Sequence, residues 1–241
     1  MSQVTLITGG TRGIGHALAL RLLARGHRVV VTGTTASGVA RATHALAEAC
    51  DDPGRVLALE CDVRDRSAVD LAMQTVVAHF GGIDVLVNNA GVGVGEPIAE
   101  LSCDDWSRII DTNLTGVFNC CSAAIPNMVK RGGGWIINIS SLASKNPFIG
   151  GAAYCASKAG LNAFSEALML ELRPSNIRVS YVLPGSVATG FSGRQVTDGD
   201  AWKLSPDESP RGWAGCVSDG PVGLQSPAPH RPDSTSRRRR R

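Results

Sequence analysis

No carboxylate side chain occurs in this 241-residue chain before Glu48. Other features are missing too. No apolar stretch approaches the ~20 residues needed to cross a bilayer, which argues against a membrane-spanning protein. The N-terminal MSQVTLITGG has no charged region followed by a long apolar run, so no secretory leader is expected. The seven cysteines include no CxxC pair and form no ladder with the five histidines. That argues against a metal site, and the odd count reads as buried thiols in a reducing, cytoplasmic compartment. The body of the chain also lacks excess positive charge. Of 24 Lys and Arg, seven arginines lie in residues 209–241 against two aspartates, which leaves 17 basic and 19 acidic side chains in residues 1–208. A nucleic-acid-binding face is therefore not expected on the body.

What is present is alternation. VTLIT (4–8), RVVVT (28–32), RVLALE (55–60), DVLVNN (84–89), GWIINIS (134–140) and RVSYVL (178–183) read as strands. Their nearly continuous apolar character suits parallel strands covered on both faces. Helices are predicted over 13–25, 38–49, 66–80, 104–131 and 154–173; Val69, Met73, Val76, Val77 and Phe80 form one apolar stripe on the third. Such a β-α rhythm predicts an α/β fold, a Rossmann-type doubly wound parallel sheet in a single domain over 1–208. Beyond Ser209 the chain turns to Pro, Gly, Ser and Arg without apolar periodicity. A disordered tail is expected there.

The first strand runs into TGGTRGIG (8–15), where Gly9, Gly13 and Gly15 allow a tight turn and close approach of backbone to phosphate. The following helix offers unpaired N–H groups and a positive dipole end to a pyrophosphate. The second strand ends in TGTT (32–35), where an NAD site would carry Asp or Glu for the ribose 2′-hydroxyl. With no carboxylate there, NADP is the expected dinucleotide. Arg12, Thr32 and Thr34 are candidates for its 2′-phosphate, with Arg41 a further helper.

In YCASK, Tyr154 and Lys158 stand one helical turn apart. Taken alone the pair reads as an exposed phenol and ammonium packing their stems on the surface. Five motifs supply its context: TGGTRGIG (8–15), NNAG (88–91), Asn113 in DTNLTG, Ser141 thirteen residues before Tyr154, and PGSVAT (184–189). In order and spacing the chain resembles the short-chain dehydrogenase/reductase family, in the branch of 3-oxoacyl-thioester reductases.

The resemblance implies a carbonyl reductase in which Tyr154 is the general acid while NADPH delivers hydride. Lys158 would lower the tyrosine pKa and hold the nicotinamide ribose. A unit charge at ~4 Å in an effective dielectric of ~20 is worth about 4 kcal/mol, enough for a ~3-unit shift. Ser141 matches the family serine that hydrogen-bonds the substrate carbonyl, with Ser140 as the alternative. Asn113 matches the asparagine that kinks its helix and holds a water beside the lysine; a buried Asn satisfied by backbone alone would look the same in sequence. The cofactor set carried over is Gly9, Thr11, Arg12, Gly13, Ile14, Gly15, Thr34, Asp62, Val63, Asn89, Ala90, Gly91, Tyr154, Lys158, Pro184, Gly185, Val187 and Thr189. Asp62 would meet the adenine amino group, and 184–189 the carboxamide. The implied substrate is a small carbonyl or alcohol, free or carrier-bound, with Phe148, Phe191 and GVGVGEP (91–97) suggesting a fairly apolar pocket. No metal is implied.

His16, His27, His44 and His79 have no role in this scheme and are expected at the surface; Trp106 and Trp135 are expected in the core or an interface. The chain departs from the family after residue 189. Residues 190–208 could cover the substrate, but the family's next helix and seventh strand have no counterpart in the tail. A shifted reading frame from about residue 209 would explain this. The departure bears on the expected homo-oligomer, and it keeps open a cofactor-binding protein without turnover.

Overall fold

The computed structural model describes residues 2–93, 95–187 and 191. Thr189, the covering segment expected over 190–208 apart from Phe191, and the tail from 209 lie outside the described residues. Six strands form one sheet: β1 (Val4–Ile7), β2 (Arg28–Gly33), β3 (Val56–Glu60), β4 (Val85–Asn88), β5 (Gly134–Ile139) and β6 (Ile177–Val182). All neighbours pair in parallel, in the order β3-β2-β1-β4-β5-β6. The expected Rossmann-type winding is the observed one, with β3 and β6 outermost among the described residues.

Period-two alternation divides the strand residues between two cores. Val29, Val31, Val85, Val87, Ile137 and Ile139 face α1 (Gly13–Ala24) and α2 (Ala36–Glu48). Val30, Leu6, Leu86, Ile136 and Val179 face α3 (Arg66–Phe80), α5 (Gly116–Lys130) and α6 (Ala152–Leu172). Side chains such as Leu6, Leu22, Leu86, Ile136 and Leu161 are completely or almost completely buried. Each contributes roughly 1.5–3 kcal/mol on removal from water. Both faces are dry, which is why the strands read as unbroken apolar runs.

The single helix expected over 104–131 is two helices. α4 (Cys103–Ile110) and α5 are joined by a π-helical turn, Asp111–Thr115, with buried Asn113 in its middle. An apolar stripe cannot signal this, because a π turn leaves the chain helical and only adds a residue to one turn. Two other expectations need correcting. His27 is buried rather than exposed, and its Nδ1 accepts from the Gln3 N–H at 3.2 Å. Cys61, Cys120 and Cys121 are buried thiols as expected, whereas Cys103 is exposed and Cys50 and Cys155 are half-buried. Burial pushes Cys61 up to about 11 and Cys121 up to about 12, so neither offers a reactive thiolate. Trp135 lies in the core with its indole N–H donating to Ser180 Oγ at 3.1 Å, while Trp106 is exposed.

The chain winds one way through β1, β2 and β3 and the other way through β4, β5 and β6. In sheets of this kind the reversal point, here between β1 and β4, opens a crevice beyond the carboxyl ends of the strands.

Candidate active site

A cavity of about 760 Å³ occupies that crevice. Its floor is a polar knot between the β1 and β4 ends. Thr8 Oγ1 accepts from the Asn89 and Ala90 N–H groups at 3.1 and 3.0 Å, and Asn89 Nδ2 donates to the Thr8 and Gly9 carbonyls at 2.9 and 3.1 Å. The two strand ends approach so closely that Gly9, at φ +63°, has room for no side chain; a Cβ there would lie 2.8 Å from Ala90 Cα. A Cβ on Gly15 would lie 2.5 Å from Asn89 Nδ2.

At this end of the cavity the wall is Gly9, Thr11, Arg12, Gly13 and Ile14, the entry to α1. Helices α2, α3 and α4 are capped by the side chains of Thr35, Asp65 and Ser102, but α1 opens without a side-chain cap and with no acidic residue in its first turn. Arg12 gives the first N–H groups of α1 no side-chain acceptor and no acidic side chain stands in its first turn, which suits an anion. A dinucleotide pyrophosphate fits these residues. Thr34 is exposed on the same wall. Thr32, expected beside it, is buried, and its hydroxyl accepts from the Gly9 N–H at 3.4 Å. Thr32 supports the turn and does not face the cavity; Arg41 is not part of the wall either.

Asp62, Val63, Asn89, Ala90 and Gly91 line the middle of the cavity. Asp62 brings a partner absent from the sequence reading. Arg64 Nε donates to both of its oxygens at 3.0 Å and Nη2 to one at 2.6 Å. This guanidinium holds the Asp62 carboxyl below the usual range.

Tyr154, Lys158, Ser141, Pro184, Gly185 and Val187 line the other end. Tyr154 and Lys158 lie one turn apart near the start of α6, and both side chains enter the cavity wall; the exposed-pair reading fails. Ser141 follows β5 and caps a short turn by accepting from the Ala143 N–H at 3.1 Å. Ser140 is buried, and its hydroxyl donates to Asn162 Oδ1 at 2.6 Å, which leaves Ser141 as the serine beside the phenol. Asn113 is fully buried. Its Oδ1 accepts from the Val92 N–H at 2.8 Å, and its Nδ2 donates to the Val92 carbonyl at 2.9 Å and to Ser157 Oγ at 3.0 Å. Asn113 therefore ties the loop after β4 to α6. Phe191 meets Tyr154 edge to face, with centroids 5.9 Å apart, and Phe148 and Leu142 extend the apolar wall.

Burial is the largest influence on both ionisable side chains of this wall. Burial pushes the Tyr154 phenol above its ordinary value, and the Ser141 hydroxyl offsets this only in part. Lys158 Nζ donates to the Ile139 carbonyl at 2.8 Å and lies 5.9 Å from the Tyr154 ring centroid. Burial also lowers Lys158 itself, to about 8.

Sequence reasoning missed Arg64 and Asn162. Arg64 was visible as the third residue of DVR; Asn162 was marked only by its place eight residues after Tyr154, on the same helical face. His16, at the mouth of α1, is half-buried with its pKa lowered by burial. Among the described residues no cluster of His, Cys, Asp and Glu could hold a metal, and no helix is long and apolar enough to cross a membrane.

A sheet wound about this crevice, with an uncapped glycine-turn helix at one end and a Tyr-Lys-Ser wall at the other, is the architecture of a dinucleotide-dependent oxidoreductase. The family model of short chain dehydrogenases matches residues 3–199, and the chain belongs to that family. The family binds a nicotinamide cofactor. The chain is 40% identical over 191 residues to the 3-oxoacyl-[acyl-carrier-protein] reductase of Synechocystis sp., covering 79% of this chain and 76% of that protein. It is also 40% identical over 193 residues to the NADP-dependent 3-hydroxy acid dehydrogenase YdfG of Salmonella typhi, covering 79% and 75%. The crystal structure of 3-ketoacyl-(acyl-carrier-protein) reductase from Brucella melitensis complexed with NADH superposes with a TM-score of 0.82 at 28% identity, over 90% of this chain and 91% of that one.

Proposed function

We propose that this chain is an NADPH-dependent reductase that converts a carbonyl, of the 3-oxoacyl thioester or simple ketone class, to an alcohol. The observation that carries the reading is the convergence of Tyr154, Lys158 and Ser141 on one wall of the cavity whose other end is the uncapped entry to α1. Bound NADPH supplies the hydride to the carbonyl carbon. Ser141 Oγ and the Tyr154 hydroxyl donate hydrogen bonds to the carbonyl oxygen, and the electron pair released there takes the tyrosine proton. A phenol raised by burial is fully protonated at neutral pH, the form a proton donor requires. Lys158, held by the Ile139 carbonyl at the base of the wall, lies close enough to stabilise the phenolate left behind. Asn113 keeps the loop after β4 against α6 and so shapes the wall on which the substrate lies.

For the choice of NADPH, the Brucella neighbour with its NADH indicates that the fold alone does not decide. The end of β2 supports NADPH: Gly33 and Thr34 face the cavity with no carboxylate to repel a 2′-phosphate, and Arg12 lines the same wall. The names of the Synechocystis and Salmonella relatives point to 3-oxoacyl groups and 3-hydroxy acids, and Leu142, Phe148 and Val187 offer an apolar wall for such an arm.

The test is NADPH consumption with a panel of 3-oxoacyl thioesters, 3-oxo esters and ketones, alongside NADPH binding by fluorescence. Turnover with at least one class, lost in Tyr154→Phe, is the expected result. Tight NADPH binding without turnover of any carbonyl would replace this reading by that of a cofactor-binding protein.

A further inference from the structure

α6 carries a third polar residue on the face that holds Tyr154 and Lys158. Asn162 follows Lys158 by one turn and is buried beneath the site. Asparagine is a poor helix former, and a buried amide is costly unless its polar atoms are bonded. An apolar residue would fill the same space without that demand, so the amide needs another reason.

Its contacts run in one direction. Ser140 Oγ donates to Asn162 Oδ1 at 2.6 Å, and Asn162 Nδ2 donates to Ser144 Oγ at 2.8 Å. Ser144 Oγ in turn donates to the Ser141 carbonyl at 2.7 Å, which also accepts from the Ser144 N–H at 3.0 Å. The amide thus grips the segment after β5 on both sides of Ser141. A second buried chain, Asn88 to Asn138 to Ser165 to the Leu161 carbonyl, also joins strands to α6 but touches no residue of the cavity wall.

We propose that Asn162 is a positioning residue: acting through Ser140 and Ser144, it sets the Ser141 hydroxyl against the Tyr154 phenol. The inference rests on the catalytic reading above. Tyr154, Lys158 and Asn162 move as one rigid helix, so a bond from that helix to both flanks of Ser141 keeps the two donor hydroxyls in register. Misplacing such a group by about 1 Å costs on the order of 10²-fold in rate.

The test uses Asn162→Leu, Ser144→Ala and the double variant, with the carbonyl compound that the wild type reduces fastest. Leucine keeps the volume and the helix, and the Ser140 hydroxyl it leaves behind has the Lys158 carbonyl at 3.3 Å as a second acceptor. The expected result for Asn162→Leu is a kcat lower by about 10- to 100-fold with the NADPH Kd within about threefold. Ser144→Ala should act in the same direction, and adding it to Asn162→Leu should cost no more than about twofold further, because both cut one chain of bonds. A kcat for Asn162→Leu within twofold of the wild type would overturn the proposal. So would equal losses in kcat and cofactor affinity, or single effects that multiply in the double variant. A wild type that reduces no carbonyl would instead defeat the catalytic reading itself, so the two failures are told apart.

Discussion

The Lys158 ammonium donates to the Ile139 carbonyl oxygen at 2.8 Å and stands 5.9 Å from the Tyr154 ring centroid. The two residues share a helical face, and burial is the largest influence on each, raising the phenol and lowering the ammonium.

One consequence is spectroscopic. In the cofactor-free protein neither Tyr154 nor Tyr181 should ionise below pH about 10, because burial raises the first and the Glu166 carboxylate, 2.8 Å from its hydroxyl, raises the second. Ultraviolet absorbance of tyrosinate during an alkaline titration reads this directly. A phenol titrating near neutrality would mean that the lysine charge outweighs burial.

Replacing Lys158 separates stability from function. Its pKa falls from 10.5 in the unfolded chain to about 8 in the fold, so the folded state holds its proton more weakly. Below pH 8 both states carry the charge and burial costs up to about 3 kcal/mol. As pH rises from 8 to 10.5 the folded protein sheds the proton first and this cost disappears. Lys158→Met should therefore melt several degrees higher than wild type at pH 7, less the ~1 kcal/mol of the lost Ile139 bond. The advantage should shrink above pH 8, and reductase activity should be lost. Melting curves at pH 7 and pH 9.5 check the sign; a Met variant less stable at both would show that the buried charge is compensated.

Tyr154→Phe keeps the ring against Phe191 and removes only the transferable proton. A kcat loss of at least 10²-fold is expected, within the 10²–10⁴ range of positioned proton transfer, with NADPH affinity within about threefold. Retention of more than about a tenth of kcat, a loss under ~1.4 kcal/mol, would remove Tyr154 from the proton-donor role.

NADPH should bind more tightly than NADH, and Arg12→Ala should reduce that preference by about 10- to 100-fold, the worth of a hydrogen bond to a charged group. Parallel titrations of both cofactors with wild type and variant measure it. Equal wild-type affinities would rule out a 2′-phosphate site at the end of β2.

Gly9→Ala places a Cβ 2.8 Å from Ala90 Cα at a φ of +63°. Strain of this kind costs about 1–3 kcal/mol. It should separate the β1 and β4 ends, so that both the melting temperature and NADPH affinity fall. An unchanged affinity would show that the floor of the crevice adapts.

Much of this was legible in the order of residues. β-branched runs separated by amphipathic stretches predict parallel strands covered by helices, because the burial of both sheet faces leaves no polar alternation. The glycines at 9, 13 and 15 mark the turn into α1, and the missing carboxylate after β2 is a fact of composition. Tyr154, Lys158, Ser141 and Asn113 could be singled out as candidates from their spacing, which is the spacing the family uses. Only the tertiary structure decided how they meet. The π turn at Asn113, the inward turn of Thr32 and the burial of His27 depend on contacts between segments distant in sequence. The direction of the Lys158 ammonium and the raised Tyr154 phenol follow from desolvation, which is set by neighbours from β5 and α6 together. Asn162 illustrates the division best: its helical face can be counted from Tyr154, but its two serine partners exist only once the β5 loop folds onto that face.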